Sequence, residues 1–139
     1  MKKLNKVISN NRGEGYIDVA VTVLIFMMLI VLSLNVFSFL TLKQDMDYYA
    51  KEMIYAASSF GKTNDEVLER QEILTEETGI DPVIVWETEY FNESQQTVQY
   101  GENISITLQY DTYLQGFGTV QIPITLTVKH SGLSMTYWK

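Results

Sequence analysis

Few side chains in this sequence could carry out chemistry, and most of them stand alone. His130 is the only histidine, and no cysteine is present that could share a metal ion with it. Glu87 and Glu89 alternate along an apolar segment that gives no sign of a pocket. We therefore predict no catalytic residue, no metal site and no cofactor. We expect His130 to be a surface residue near the end of a strand.

One spacing near the N-terminus does suggest a reaction, in which the chain itself is the substrate. A basic leader ends at Arg12-Gly13, and the acidic residue Asp18 follows five positions after the glycine. A protease at the cytoplasmic face of a membrane needs a flexible, extended segment just before a helix, and glycine supplies one. The spacing resembles that of a known processing signal, and the resemblance implies a cut between Gly13 and Glu14. A cut after Gly15 would instead make Asp18 the third mature residue.

A long apolar segment places these residues at a membrane. Val19 to Leu42 is a run of 24 residues without a charge, called here the apolar run. At about 1.5 Å per helical residue it is about 36 Å long, which exceeds a hydrocarbon core of about 30 Å. A cleaved secretory signal has a shorter apolar stretch of about 7 to 15 residues, so we expect this segment to be retained.

The charges on either side of the apolar run predict its orientation. Lys2, Lys3, Lys6 and Arg12 precede it with no acid among them. By the positive-inside rule, the N-terminus is cytoplasmic and the region after Leu42 is extracytoplasmic. The chain is therefore predicted to be a single-pass protein of the cytoplasmic membrane.

Polar side chains within the apolar run could contact a neighbouring helix. Asn35 and Ser38 are the candidates, because amides and hydroxyls can hydrogen-bond between helices in lipid. The alternative is that these groups bond back to carbonyls of their own helix. The sequence leaves both interpretations open.

The region after the apolar run is small and acidic. It has 97 residues, enough for one domain. The chain carries a net charge of −7, and between Gln71 and Val128 there are nine acids and no lysine or arginine. Such a surface repels phosphate backbones, which excludes nucleic acid as a partner. The lack of cysteine excludes disulfide bonds and thiol redox chemistry.

Two helices are predicted before the sheet. Apolar residues continue past the membrane at helical spacing, so one helix is expected from Val19 to Phe60 with a C-cap at Gly61. We call the following residues the apolar stripe: Leu42, Met46, Tyr49, Met53, Ala56 and Phe60. The C-terminal part of the chain is expected to cover the stripe, with a coiled-coil partner as the rival. A short acidic helix capped by Thr63 or Asn64 should end at Gly79.

After Pro82 the apolar residues alternate with period two, which predicts four antiparallel strands. The central two contain Ile104 to Tyr110 and Val120 to Val128, joined by a hairpin loop over residues 115–118. Val83 to Phe91 forms an earlier strand, and Leu133 to Trp138 a last one after a turn at Ser131-Gly132. Pro123 removes one ladder donor, so its strand belongs at an edge or a bulge.

The predicted fold is therefore a membrane-anchored α+β chain. Its segments are a leader, a transmembrane helix, an extracytoplasmic continuation of that helix, a short acidic helix with its linker, and an antiparallel β-region. They cover residues 1–13, 14–42, 43–61, 62–81 and 82–139.

Taken in order, Arg12-Gly13, Glu14-Gly15-Tyr16-Ile17, Asp18 and the apolar helix resemble the class III signal of type IV prepilins. In that family a membrane peptidase cuts after the glycine, and an acid occupies the fifth mature position, which here is Asp18. The resemblance is closest to the TadE-like pseudopilins of tight-adherence pilus systems, which share the leader, the long helix and a small β-region. The fifth-position acid is usually glutamate in that family, and Glu14 stands where an apolar or small first residue is common.

The resemblance implies a non-enzymatic, pilin-like structural subunit, a minor pseudopilin made as a prepilin. Its partners would be a prepilin peptidase, other pilin-like subunits met through the N-terminal helix, and membrane lipid. Asp18 would pair with the N-terminal amine of a neighbouring subunit and set the axial register of assembly. The local alternative is that Asp18 is only the N-cap of the membrane helix.

A second function fits the same sequence. The chain could be an uncleaved, single-pass, membrane-anchored binding or accessory module of an envelope or conjugation complex. Gly13 discriminates the two, because a binding module does not need a glycine five residues before an acid.

Overall fold

The computed structural model describes residues 14–115 and 119–139, which form two helices and three strands. The first helix, α1, is Glu14–Phe60 and ends at Gly61, whose φ of 63° is favourable only for glycine. The expected single long helix is confirmed. The described residues fall into two compact units divided after Ser38, called here the N-terminal unit and the C-terminal unit.

One helix among the described residues is long and apolar enough to cross a membrane. It is α1, whose most apolar window has a mean hydropathy of 2.7 and no buried residues. Its side chains in the N-terminal unit are exposed almost without exception. An exposed apolar surface of this kind is compatible with a single-pass membrane anchor.

In the C-terminal unit, the sheet covers the apolar stripe of α1. Met46, Tyr49 and Met53 are completely buried. They share one core with Ile104, Ile106, Leu108 and Val128 of the sheet. Covering of the stripe by the same chain is therefore confirmed, except that Phe60 at its end remains 44% exposed.

The second helix, α2, is Glu66–Thr78. It packs through Val67 and Leu74, and it ends at Gly79 as predicted, where the glycine adopts the left-handed conformation. Its N-cap is Asp65, which makes no side-chain capping bond, so the predicted cap at Thr63 or Asn64 is wrong. The hydroxyl of Thr63 is instead 2.8 Å from the hydroxyl of Tyr90.

The sheet has three antiparallel strands in the order β1-β2-β3. β1 is Val83–Thr88, β2 is Asn103–Gln115 and β3 is Gln121–Leu133. β3 pairs with β2 from Leu133 opposite Asn103 to Gln121 opposite Gln115, which confirms the hairpin. Pro123 lies in an edge strand, as predicted; loop residues 116–118 lie outside the described part.

The prediction of a fourth strand is wrong for the described residues. Ser131 and Gly132 do not form a turn, because they continue β3 opposite Ser105 and Ile104. The physical reason is packing against α1. A Cβ at position 132 would lie 2.7 Å from Cγ2 of Ile54 and 2.7 Å from Oγ of Ser58. Gly132 thus permits close approach of α1. The residues after Leu133 are not in a strand.

Candidate functional site

The first candidate site is the exposed surface of α1 around Asp18. Asp18 is the fifth residue of α1, one turn inside it, so its position is not that of an N-cap. Its backbone carbonyl accepts a hydrogen bond of 2.7 Å from Oγ1 of Thr22. Among residues 14–115 and 119–139, no cation pairs with its exposed carboxylate. An ionisable side chain next to a long apolar run is costly to place near lipid unless it has a role or a partner. Asp18 is therefore a candidate functional group.

The residues predicted for processing lie at the boundary of the described part. Gly13 lies outside it, and Glu14 is the first residue of α1. Gly15 lies inside the helix, and a Cβ added to it would meet nothing within 4 Å. No other described group is brought next to Asp18, so the processing and assembly roles of these residues stay predictions.

Asn35 and Ser33 of the apolar run bond within their own helix. The amide of Asn35 donates to the carbonyl of Val31 at 3.1 Å, and the hydroxyl of Ser33 donates to that of Leu29 at 2.8 Å. Ser38 is exposed. A single amide hydrogen bond leaves further bonding capacity on Asn35, so its predicted contact with another helix remains open.

A polar cluster that the sequence did not indicate joins α1 to β3. Nε2 of His130 lies 2.6 Å from Oδ1 of Asp47, and Nζ of Lys51 lies 2.6 Å from Oδ2 of the same carboxylate. The hydrogen bonds from Lys51 and His130 lower the pKa of Asp47 below its usual value. His130 is therefore a half-buried residue of β3 that contacts α1, rather than the predicted surface residue.

This cluster predicts a weak dependence of stability on acid. A carboxyl whose pKa is lowered in the folded state stabilises it at neutral pH, and that contribution is lost as the pH falls below about 4. Because Asp47 is 41% exposed, we expect an effect of about 0.5 kcal/mol. On going from pH 6 to pH 3, Asp47→Asn should lose less stability than wild type loses over the same range, as measured by thermal unfolding. Asp45→Asn is the control. If both variants lose the same stability between pH 6 and pH 3, the result would contradict a role for this cluster.

The residues after β3 bind the C-terminal end of α1. The backbone N–H of Met135 donates to the carbonyl of Ser58 at 2.9 Å, and Oγ1 of Thr136 donates to that of Ser59 at 2.9 Å. Nε1 of Trp138 donates to the carbonyl of Gly61 at 3.1 Å. The first two bonds satisfy carbonyls that the end of a helix leaves unpaired. The third holds the residue after the helix, whose carbonyl also accepts from the backbone N–H of Val98. This segment therefore fixes the end of α1 in place of the predicted fourth strand.

An open groove lies between the end of α1 and α2. Its volume is about 550 Å³, and Tyr55, Phe60 and Ile73 line it. Nη2 of Arg70 lies 2.7 Å from Oε2 of Glu52 and joins the two helices beside it. No histidine lines the groove. Within the described ranges, no three His, Asp or Glu side chains are placed to hold a metal ion.

The comparisons with known proteins find one family. A model described as a domain of unknown function (DUF4320) matches residues 23–139. The chain belongs to the DUF4320 family. No curated protein and no solved structure matches it. In this DUF4320 chain the match covers most of the apolar run and the whole C-terminal unit, and it begins after Gly13 and Asp18.

Sequence reasoning missed the Asp47–His130 contact and the role of Gly132. The two members of the polar contact are 83 positions apart, so no local pattern could pair them. Gly132 offered a signal, since a glycine inside an alternating strand pattern can indicate close approach of another backbone. In this DUF4320 chain that approach is made by α1.

Proposed function

We propose that the protein is a pilin-like structural subunit, a minor pseudopilin of the TadE-like type, made as a prepilin. The observation that carries the proposal is the placement of Asp18. It is an acid on the exposed surface of a continuous helix, one turn after Glu14 and immediately before the apolar run. Its carboxylate has no ion-pair partner among residues 14–115 and 119–139. The new N-terminal amine of a neighbouring subunit would be a suitable partner beside an apolar run.

The arrangement of the C-terminal unit supports the same proposal. It is built directly on the helix: Phe39 and Leu42 already pack against its core. In the proposed assembly the apolar surface of α1 contacts other pilin-like helices and lipid, with the leader on the cytoplasmic side and the C-terminal unit outside. No step of this function requires a catalytic residue or a cofactor.

Processing is the experiment that tests the proposal. Co-expression with the cognate prepilin peptidase should shorten the chain by the leader, residues 1–13, and leave Glu14 as the new N-terminus. Intact-mass analysis and N-terminal sequencing of the membrane fraction measure this change. The reason is that the glycine provides the flexible bond and the leader charges keep it on the peptidase side.

Two leucine variants provide a matched pair. Gly13→Leu should block the cut, whereas Gly15→Leu should leave it intact, because a side chain at Gly15 meets no other group. A chain that keeps Met1 in its native host would instead favour the anchored binding or accessory module. Cutting that depends on Gly15 and not on Gly13 would place Asp18 third and remove the proposed role of its carboxylate.

A further inference from the structure

The β2–β3 hairpin extends beyond the strand that flanks it. β1 pairs with β2 only as far as Gln109, whereas β2 and β3 remain paired up to Gln115 and Gln121. Residues 110–115 and 119–126 are called here the hairpin arm. The arm is a two-stranded ribbon, so one side of each strand has no neighbouring strand within the sheet.

The hairpin arm is apolar, exposed and almost free of charge. Tyr113 is 63% exposed, Val120 58% and Ile122 53%. The sequence has no charged residue between Asp111 and Lys129, although the chain as a whole carries a net charge of −7. Asp111 itself accepts a hydrogen bond of 2.6 Å from the hydroxyl of Thr125. Such a patch on an otherwise acidic unit indicates a surface that meets an apolar or interfacial partner.

Contacts within the C-terminal unit fix the direction of the arm. β3 runs in the same direction as α1, because His130 contacts Asp47 while Gly132 lies against Ile54 and Ser58. Residues earlier in β3 therefore lie beside earlier residues of α1. The hairpin arm is at the end of the C-terminal unit that contains Leu42, the last residue of the apolar run.

A length estimate shows how far the arm reaches. From Gly132 back to Ile122 is ten strand residues, about 33 Å. From Ser58 back to Leu42 is sixteen helical residues, about 24 Å. The strand segment is therefore longer than the helix segment, so β3 can reach the level of Leu42, the last residue of the apolar run.

We propose that the hairpin arm lies in the headgroup region of the bilayer, with Tyr113, Val120 and Ile122 in contact with lipid. The scarcity of charge suits this position, since Asp111 is the one ionisable acid of the described arm, and tyrosine favours the membrane interface. The unpaired backbone groups along the ribbon edges keep the arm out of the hydrocarbon core, where they would lack water. The proposal goes beyond the pilin-like function and does not depend on processing at Gly13.

The cysteine-free sequence allows a direct test by single labelled cysteines. Ile122→Cys, Leu133→Cys and Leu29→Cys would each carry an environment-sensitive fluorophore. The full chain would be reconstituted in phosphatidylcholine–phosphatidylglycerol vesicles containing lipids spin-labelled at the headgroup or deep in the acyl chain. Leu133 is the matched control, because it is an exposed apolar residue at the opposite end of β3. Retention of the wild-type circular dichroism spectrum confirms folding of each variant.

The headgroup quencher should reduce emission from position 122 about twofold more than emission from position 133. The deep quencher should act on position 29. Equal quenching at positions 122 and 133, with position 29 quenched, would overturn the lipid contact and leave the membrane span intact. Protection of position 122 that varies with the protein-to-lipid ratio would assign the arm to a second copy and also overturn the proposal. An unquenched position 29 would overturn both the arm and the membrane span.

Discussion

Asp18→Asn should leave the amount of protein in the membrane near wild type and lower its recovery in complexes with other pilin-like subunits at least about 100-fold. The variant keeps the size of the side chain and the backbone carbonyl that Thr22 bonds. It removes the charge that would neutralise the amine of a neighbour. Breaking a buried pair by removing one partner costs about 3 to 5 kcal/mol, which corresponds to at least two powers of ten. Crosslinking or co-purification, normalised to monomer, measures the effect.

Two controls separate charge from local structure in this experiment. Asp18→Glu keeps the charge and should preserve assembly, while Thr22→Val alters the next turn of the helix without changing charge. Because Asp18 lies inside α1, loss of a helix cap does not account for a defect. If the Asn variant forms complexes as well as wild type, pairing with a neighbouring amine is not the function of Asp18.

Gly132→Val should lower the free energy of unfolding of the C-terminal unit by about 3 kcal/mol. The position has no room, since an added Cβ would lie 2.7 Å from Cγ2 of Ile54 and 2.7 Å from Oγ of Ser58. Either α1 or β3 must move, and the Asp47–His130 contact depends on their spacing. Thermal unfolding of the purified full chain in detergent, followed by tryptophan fluorescence, measures the change.

The neighbouring position provides the control for this variant. Ser131→Val changes an exposed residue of the same strand and should shift stability by less than about 0.5 kcal/mol. Ser58→Ala should recover part of the loss in a double variant, because it removes one of the two crowded atoms. Among the described residues, the hydroxyl of Ser58 is buried without a hydrogen-bond partner, so its removal alone should be harmless. Equal stability of Gly132→Val and wild type would mean that α1 and β3 pack less closely than described.

The fold could be predicted where the physics is local. The helical spacing of the apolar stripe predicted both where α1 ends and which of its faces is buried. Apolar side chains on one face of a helix favour packing against other apolar groups, because packing removes them from water. Period-two alternation identified β2 and β3 for the same reason. Their extension to Gln115 and Leu133 was missed, since strand ends depend on pairing partners and not on side-chain pattern alone.

The sites were harder to predict because their members are distant in sequence. Asp47 and His130 meet only after β3 has packed on α1. Trp138 bonds to a carbonyl 77 positions earlier, so the segment that was expected to be a strand is used to complete the end of a helix. The region of Gly13 to Asp18 is different. Its spacing is a local signal, and the role proposed for it involves a peptidase and neighbouring subunits that lie outside this chain.

The buried face of α1 also has a consequence for how the protein is made. Met46, Tyr49 and Met53 follow the apolar run directly, but the β3 residues that help cover them are synthesised much later. In the proposed membrane topology, the bilayer is the nearest apolar environment for this face until then, because an amphipathic helix can lie along its surface. Folding of the C-terminal unit is thus an exchange in which the sheet displaces lipid from the helix. The same topology implies that α1 inserts before the sheet forms, so that lipid covers an apolar face that would otherwise favour aggregation of the nascent chain.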